Sequence, residues 1–250
     1  MLEVRHIYKS YRSGGMFSRK KEQILKDVSF TVDKGECFGI IGESGSGKST
    51  LSRLILGIEK PDSGQISICG ENVQSHKARS RYISAVFQDY NSSINPHYTV
   101  EKAILEPMLL EDKRKSHMEL HKNVIDLLEQ VGLNENYMSR YPHELSGGET
   151  QRVCIARAIS TEPEFIVLDE AISSLDVSIQ TQILNLLNSL KDIHSITYLF
   201  ITHDIQTVTA ICNRVAFFKN GEIVETAESN RLYAVTNEYS KKLLSVVLPV

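Results

Sequence analysis

The feature that most constrains the fold is the stretch GESGSGKST, residues 42–50, which has the pattern G-x-x-x-x-G-K-[ST]. An apolar run that ends at Ile41 precedes it, and a run with helical periodicity follows it. Closely spaced glycines let successive backbone N–H groups curl around an anion, a geometry that side chains would obstruct. A strand, a glycine-rich loop and a helix in this order predict a phosphate-binding loop.

The rest of the chain alternates between two kinds of apolar pattern. Short apolar runs bounded by Gly, Pro or Asp predict strands, and helical periodicity predicts the helices between them. The run IVLD at 166–169 is continuously apolar, as expected for a central strand of a parallel sheet covered on both faces. The alternation favours an α/β core. Strands are predicted over 2–7, 24–32, 36–41, 64–69, 83–87, 165–168, 196–201 and 214–224, and helices over 48–57, 100–110, 117–131, 149–160, 179–191 and 205–212, with a weaker pair after residue 229.

One region breaks the alternation. Residues from 91 to 161 are almost entirely helical and polar in pattern, which predicts a helical subdomain inserted into the sheet domain. With 250 residues the chain can bury a substantial core as one large domain. We therefore expect an α/β core over 1–90 and 162–228, a helical subdomain over 91–161 and C-terminal helices over 229–250. Residues 12–23 are expected to form a hairpin loop.

Composition excludes several classes of protein. The formal net charge is −3, so no overall basic field points to nucleic acid, and no nucleic-acid partner is expected. The four cysteines form no CxxC pair, and three of them (Cys37, Cys69 and Cys154) lie in apolar or strand-like runs, which favours buried, reduced thiols. The N-terminus lacks the apolar segment of a signal peptide, and no apolar run approaches the ~20 residues of a membrane helix. We expect a soluble cytoplasmic chain that reaches a membrane only through partners.

The phosphate-binding loop defines the first set of candidate site residues. Lys48 would reach the β- and γ-phosphates of a nucleotide, and the Ser49 hydroxyl would ligate Mg²⁺. A loop of this kind is shared by kinases, GTPases and transport ATPases, so it does not by itself choose among them. The residues expected to contact nucleotide here are Gly42, Ser44, Gly45, Ser46, Gly47, Lys48, Ser49 and Thr50.

The stretch FIVLDE, residues 165–170, narrows the choice among kinases, GTPases and transport ATPases. Asp169 at the end of the predicted strand would hold Mg²⁺ through water. Glu170, the next residue, is placed to orient or deprotonate an attacking water. A carboxylate in that role favours hydrolysis over transfer to an acceptor hydroxyl.

Joined to LSGGE at 145–149, these two motifs make the chain resemble the nucleotide-binding subunits of ABC transporters over nearly its whole length. The signals follow the order of that family: Tyr11, GESGSGKST, FQD, LSGGETQR, FIVLDE, SSLD and ITHD. The resemblance implies a single nucleotide-binding domain of the ABC type, with the P-loop NTPase α/β core, an N-terminal antiparallel β-subdomain and an inserted α-helical subdomain. It also implies an ATPase with ATP and Mg²⁺ as its cofactors.

The remaining motifs take their roles from this resemblance. Tyr11 would stack its ring on adenine. Gln88, whose amide can both donate and accept, would touch Mg²⁺ or the attacking water and report the γ-phosphate to the helical insert. His203, which lies where ligands of α/β folds gather, would donate a hydrogen bond to the γ-phosphate. The implied Mg²⁺ ligands are Ser49, Gln88 and Asp169, and the implied catalytic residues are Lys48, Gln88, Glu170 and His203.

The LSGGE segment resembles a second anion site but contains no lysine. In this family two subunits meet head to tail, and each ATP lies between the phosphate-binding loop of one subunit and the LSGG helix of the other. The residues that would contact the partner's ATP are Ser146, Gly147, Gly148, Glu149 and Asp176. Glu149 stands where the family usually has Gln, and Ser146-x-x-Glu149 fits a capping box. We hypothesise that its charge repels the partner's phosphate and weakens closure of the dimer.

Longer stretches indicate a branch of the family. FQDYNSSINPHYTV, YPHELSGG and YSKKLL resemble the importers of peptides, nickel and metal chelates, and Ala171 replaces a common proline as in nickel-type members. The resemblance implies an ATPase that powers import of nickel, cobalt or an opine metallophore from the cytoplasmic face of the membrane. Its implied partners are a second ATPase subunit, with a heterodimer favoured, two transmembrane permease subunits and an extracytoplasmic substrate-binding protein.

Several alternatives stay open at this point. A peptide importer of the same branch is the nearest. A soluble ABC ATPase of DNA repair or translation would carry long coiled coils, zinc cysteines or fused cassettes, and none is visible in the sequence. A regulatory subunit that barely hydrolyses ATP is disfavoured because the hydrolytic residues are all present. A small-molecule kinase would not require LSGGETQR.

Overall fold

The computed structural model describes residues 1–12, 21–88, 93–111 and 116–245. The strands are β1 (Leu2–Arg12), β2 (Lys21–Val32), β3 (Cys37–Ile41), β4 (Ser63–Ile68), β5 (Glu71–Asn72), β6 (Ile83–Phe87), β7 (Phe165–Asp169), β8 (Thr197–Thr202), β9 (Arg214–Lys219) and β10 (Glu222–Glu228). The α-helices are α1 (Lys48–Ile55), α2 (His76–Tyr82), α3 (Val100–Glu111), α4 (His117–Gln130), α5 (Gly147–Ile159), α6 (Val177–His194), α7 (Ile205–Ile211) and α8 (Glu238–Ser245).

The chain divides into two compact units. The first contains Met1–Arg79 and Thr197–Val250, and the second contains Ser80–Ile196. The predicted α/β class, with an antiparallel sheet and helical segments, is confirmed. The finer domain boundaries given above remain a prediction.

The first unit begins with an antiparallel sheet in the strand order β2-β1-β4-β5. In β1 the apolar residues Leu2 and Val4 are buried and alternate with polar neighbours, as in a half-buried strand. A register shift between Val4 and Ile7, where His6 has a positive φ of 49°, then places Ile7 on the buried face. β1 and β2 pair from Leu2↔Val32 to Arg12↔Lys21. The two strands therefore form the arms of a hairpin. The predicted loop at 12–23 is too wide, because Arg12 and residues 21–23 are paired within the strands, and residues 13–20 lie outside the described residues.

Four further strands of the first unit lie in the order β10-β9-β3-β8. β3 is parallel to both β8 and β9, and all five of its residues are buried, as expected for a strand covered on both faces. The prediction of one strand over 214–224 is wrong. Asn220 and Gly221 both have positive φ (50° and 85°), and this turn reverses the chain so that β9 and β10 pair antiparallel.

The second unit holds the parallel pair β6–β7 and the helices α3, α4, α5 and α6. Two contacts tie α5 to its neighbours: Arg157 Nη2 lies 2.7 Å from Glu106 Oε2 of α3, and Arg152 Nη1 donates to the Val131 carbonyl at the end of α4 (2.6 Å). The predicted helices of this region are present. The sequence patterns missed α2, because its sequence HKARSRY is mostly polar and shows no apolar period, and β5, because it has only two residues.

The structure also tests the predictions about the cysteines and about membrane-spanning helices. All four cysteines are free, but Cys69 is exposed where β4 ends, so the prediction of burial is wrong for that residue. The other three, Cys37, Cys154 and Cys212, are buried. Among the described residues, no helix combines the length and the apolar character that a membrane span requires.

Candidate nucleotide site

The phosphate-binding loop connects the buried strand β3 to α1. The helix begins after Gly47, whose φ of 108° is left-handed, and Gly47 offers no side chain to cap it. The first turn of α1 contains no acidic residue. The backbone N–H groups at this helix N-terminus are therefore not committed to an acidic side chain of their own turn, which suits an anion.

Three of the polar side chains of this segment are turned inward, whereas those of Ser44 and Ser49 are exposed. Ser46, Lys48 and Thr50 are all buried, although residues of these types normally face solvent. Lys48 Nζ donates to the carbonyls of Gly42 (2.7 Å) and Glu43 (3.0 Å). The buried Ser46 hydroxyl has no hydrogen-bond partner within the described ranges. A buried ammonium and a buried, unsatisfied hydroxyl fit a site that binds phosphate oxygens.

A close backbone contact explains the first glycine of the loop. A Cβ on Gly42 would lie 2.1 Å from the carbonyl oxygen of Phe218 in β9. Both groups in this contact belong to the backbone, which cannot move aside as the end of a flexible side chain can. Only glycine therefore lets the loop leave β3 at this point.

Other predicted residues of the first unit lie near the loop. Because Ile41 pairs with Thr202 in parallel register, the loop and His203 leave the sheet at the same edge. Tyr11 is the penultimate residue of β1, and its hydroxyl donates to Glu59. Burial and this hydrogen bond raise the pKa of Tyr11, while a hydrogen bond with Thr50 acts in the opposite direction. Tyr11 thus lies beside the N-terminal turn of α1.

The second unit brings together the other predicted hydrolytic residues. Phe87 of β6 pairs with Asp169 of β7, so Gln88 and Glu170 follow adjacent parallel strands at one sheet edge. Asp169 is buried. Glu170 has a left-handed backbone (φ 52°), and its carbonyl accepts from both the backbone N–H and the hydroxyl of Ser173.

The LSGGE segment forms the N-terminus of α5. Ser146 is the N-cap, and the predicted capping box with Glu149 is confirmed. The Ser146 backbone N–H and hydroxyl both donate to Glu149 Oε2 (2.7 Å each), and the Tyr137 hydroxyl donates to Glu149 Oε1 (2.5 Å). These bonds, led by that from Tyr137, lower the pKa of Glu149 to about 2. The carboxylate is therefore ionised at any physiological pH.

The first turn of α6 lies against this segment. A Cβ on Gly148 would be 2.9 Å from Ile179 Cγ2, so the backbone of α5 approaches α6 closely here. Asp176 caps α6 by accepting from the backbone N–H groups of Ser178 (3.1 Å) and Ile179 (3.0 Å). The hydrogen bond from the Ile179 N–H is the main reason why the pKa of Asp176 is lowered. The residues predicted to serve the partner's ATP thus lie at two neighbouring helix N-termini.

Two tyrosines that contact these segments were missed by the sequence patterns. Tyr137 binds Glu149, and Arg140 lies over its ring at 4.2 Å from the centroid. Tyr239 of α8 contacts the phosphate-binding loop, because its hydroxyl accepts from the Glu43 backbone N–H (3.1 Å). Neither tyrosine belongs to a motif that contacts nucleotide. Only the resemblance of YSKKLL to one importer branch singled out the segment that contains Tyr239.

Known proteins have a similar sequence and a similar fold. The family model for ABC transporters matches residues 25–173. The ATP-binding protein CntF of the metal-staphylopine import system of Staphylococcus aureus is 49% identical over 98% of this chain and 98% of its own. The oligopeptide transport ATP-binding protein OppF of Bacillus subtilis is 40% identical over 99% of this chain and 82% of its own.

Solved structures with a similar fold also come from ABC proteins. The ATP-binding cassette MJ0796, solved as a dimer in a post-hydrolysis state with ADP and Pi, superposes with a TM-score of 0.82 at 29% identity, covering 92% of this chain and 99% of its own. The protein cbiO1 of Clostridium perfringens, part of the ABC transporter complex cbiONQ, has a TM-score of 0.80 at 28% identity, covering 99% and 95%. This chain belongs to the ABC transporter ATPase family, and it is an ATP-binding, ATP-hydrolysing subunit.

Proposed function

We propose that this chain powers a membrane importer that takes up nickel, cobalt or other metal ions as chelates with an opine metallophore. The observation that carries this proposal is the 49% identity, over 98% of both chains, with a metal-staphylopine import ATPase. The oligopeptide ATPases match at 40%. Import of di- or oligopeptides is therefore the second candidate, and cargo is selected by subunits other than this chain.

In the proposed site the phosphate-binding loop receives the β- and γ-phosphates of ATP. The loop N–H groups and Lys48 would compensate the phosphate charge, and Tyr11 would stack on adenine. The hydroxyl of Ser49, the amide of Gln88 and the carboxylate of Asp169 are oxygen donors of the kind that Mg²⁺ prefers, and these residues would hold it. When bound, Mg²⁺ would neutralise charge on the β- and γ-phosphate oxygens.

Hydrolysis needs a group that handles the proton of the attacking water. We assign this role to Glu170, because its carboxylate can accept that proton. In hydrolysis the phosphoryl group is transferred to water, so no substrate hydroxyl has to accept it. Gln88 would orient the water, and His203 would donate a hydrogen bond to the γ-phosphate. The shared edge positions of Gln88 and Glu170, one strand apart, support this division of roles.

The segment 145–149 would serve the ATP of a second subunit. Ser146, Gly147, Gly148 and the N-terminus of α5 would face that nucleotide's γ-phosphate, together with Glu149 and Asp176. The partner's own loop would supply the lysine that this segment lacks. The dimeric solved cassette supports a paired arrangement. We propose that the second subunit is a different ATPase chain.

The assembly would place this chain on the cytoplasmic face of the cell membrane. Two transmembrane permease subunits would form the pathway, and an extracytoplasmic substrate-binding protein would deliver the cargo. The relatives support such an assembly because they are named as ATP-binding proteins of import and transport systems. Purification of the tagged chain from native membranes should recover two membrane proteins and a second ATPase chain. Recovery of nucleic-acid machinery instead would contradict the proposal.

Replacement of Glu170 tests the proposed chemistry. Glu170→Gln keeps the size of the side chain but removes its ability to accept a proton. The variant should bind ATP normally, hold the subunit pair closed and lower the hydrolysis rate of the assembled complex at least about 100-fold. Glu129→Gln, on the exposed face of α4, is the matched control and should hydrolyse ATP like the wild type. Near wild-type hydrolysis by Glu170→Gln would remove Glu170 from this role.

The cargo needs a separate experiment. A strain that lacks this chain should lose uptake of radioactive nickel or cobalt presented with an opine metallophore, and the restored gene should return it. Uptake of labelled di- and oligopeptides by the same strain distinguishes the second candidate. Loss of peptide uptake with unchanged metal uptake would contradict the metal assignment and leave the ATPase assignment intact.

A further inference from the structure

The C-terminal helix α8 contacts the phosphate-binding loop through one side chain. Tyr239, in the first turn of α8, is only 6% exposed. Its hydroxyl accepts from the Glu43 backbone N–H at 3.1 Å and donates to the Phe218 carbonyl at 3.4 Å. Burial raises the pKa of Tyr239, so the phenol keeps the proton that it donates. A single hydroxyl thus joins the loop to β9.

The bond to Glu43 acts on a peptide group that is also held from its other side. The Glu43 N–H and the Gly42 carbonyl belong to one planar peptide unit. The Gly42 carbonyl accepts from Lys48 Nζ (2.7 Å), while the N–H donates to Tyr239. The orientation of this peptide is therefore fixed by Lys48 at one end and by Tyr239 at the other.

The start of α8 is itself anchored to the sheet. Both carboxylate oxygens of Glu225 in β10 accept from the chain just before the helix, from the Thr236 N–H at 2.7 Å and the Asn237 N–H at 3.2 Å. Burial acts to raise the pKa of Glu225, but the polar groups around it, which include the Thr236 and Asn237 N–H donors, outweigh burial and leave the pKa lowered. Tyr239 is thus presented to the loop by a fixed helix end.

A phosphate bound at the loop would change the hydrogen bonds that orient the Gly42–Glu43 peptide. Lys48 has three N–H donors, and phosphate oxygens compete for them with the Gly42 and Glu43 carbonyls. As Lys48 turns toward phosphate, the Tyr239 hydroxyl is the contact that keeps the Gly42–Glu43 peptide in its orientation. The loop then presents its following N–H groups without first having to reorganise.

We infer that Tyr239 is a positioning residue for ATP binding: its hydroxyl fixes the Gly42–Glu43 peptide and so preorganises the phosphate-binding loop from the C-terminal helix. The inference rests on the proposed assignment of this loop to ATP. Nothing in the roles given above to Lys48, Ser49 or Glu170 requires α8, so this contact adds a segment outside the nucleotide motifs to the determinants of ATP affinity.

Tyr239→Phe tests the inference, because it removes the hydroxyl and keeps the ring. The full-length variant should bind ATP about three- to tenfold more weakly, the range expected when one hydrogen bond to a partly buried N–H is lost. In the assembled complex KM should rise while kcat stays near the wild-type value. Amide hydrogen exchange should become faster at Glu43, whose N–H donates to the Tyr239 hydroxyl.

Two further variants distinguish a failure of the loop's assignment to ATP from a failure of the role of Tyr239. Tyr233→Phe, at a tyrosine that is 84% exposed in the preceding 3-10 turn, should leave affinity and exchange unchanged. Lys48→Ala should abolish ATP binding. Retained binding in Lys48→Ala would overturn the loop assignment and this inference with it. Loss of binding in Lys48→Ala, together with wild-type affinity in a folded Tyr239→Phe, would overturn the role of Tyr239 alone. Thermal unfolding without nucleotide establishes that Tyr239→Phe is folded.

Discussion

The helix α1 follows a glycine-rich loop and α5 begins with two glycines, and their N-termini differ in what satisfies the backbone. α1 begins after Gly47 with no side-chain cap and no acidic residue in its first turn, and Lys48 is its first residue. α5 begins after Ser146 with a complete capping box, and Glu149 lies in its first turn. One helix N-terminus therefore carries a cation of its own, whereas the other carries an anion.

The difference shows how similar glycine-containing segments suit different tasks. Unsatisfied N–H groups beside an ammonium can hold phosphate without help from another chain. In α5 the capping box already uses two backbone N–H groups, and the dipole favours the carboxylate of Glu149 that occupies the end. A phosphate would meet that negative charge as well. The second segment therefore suits an anion whose charge is compensated elsewhere, as proposed for the partner's ATP.

Glycine-to-alanine substitutions in the two glycine-containing segments have the largest expected effect. Gly42→Ala should destabilise the protein by about 3 kcal/mol, because the new methyl group meets the Phe218 carbonyl and neither backbone can move freely. Gly148→Ala meets only a side-chain methyl of Ile179, and the better helix propensity of alanine offsets part of the strain. Its effect should stay within about 1 kcal/mol. Urea unfolding of both variants measures the difference.

The two variants control for each other, because each adds a single methyl group to a segment predicted to face ATP. We expect Gly42→Ala to have a clearly lower unfolding midpoint than Gly148→Ala. Equal loss of stability in the two variants would show that the contact between Gly42 and Phe218 does not constrain the loop.

Removal of the α5 cap is the second test. Ser146→Ala should lower the free energy of unfolding by about 1 kcal/mol, because the N3 backbone N–H loses its acceptor. Ser116→Ala is the matched control, since Ser116 and Glu119 form the same capping box at the start of α4. Both variants should lose similar stability, but only Ser146→Ala should change the ATP concentration that half-saturates hydrolysis in the assembled complex. The same ATP dependence in both would mean that Ser146 serves only as a cap.

The charge of Glu149 gives the smallest expected effect. Glu149→Gln removes a negative charge that would face the partner's phosphate, so ATP-driven closure should need about two- to fivefold less ATP at low salt. The gain should shrink at about 0.5 M salt, where exposed charges are screened over a few ångströms. Glu144→Gln, which alters a carboxylate that caps the preceding 3-10 turn, is the control. An identical ATP requirement across the salt series would contradict the hypothesis.

The nucleotide motifs were predictable because each lies in a short stretch of chain. Gly42 and Lys48 are separated by five residues, and a strand and a helix on either side place them without reference to the rest of the protein. The capping box of Ser146 and Glu149 was equally visible, since its two members are three residues apart. Local geometry alone determines which of their atoms can meet.

Contacts between distant segments were not predictable in the same way. Tyr239 is 196 positions from Glu43, and no periodicity relates them. Tyr137 is closer to Glu149, but its hydroxyl meets the carboxylate only because a 3-10 turn and the start of α5 are packed together. The turn at Asn220 and Gly221 was missed for a different reason: the apolar residues on both sides gave one continuous strand pattern.

The sequence by itself determined the α/β class, the phosphate-binding loop, the capped start of α5 and the family, because periodicity and motif spacing are local properties of the chain. Only the tertiary structure decided that the Phe218 carbonyl excludes any side chain at position 42 and that Tyr239 holds the peptide after it. It also decided that three donors converge on Glu149 and bring its pKa to about 2. Hydrogen bonds and steric contacts of this kind depend on atoms a few ångströms apart in space, whatever their separation along the chain.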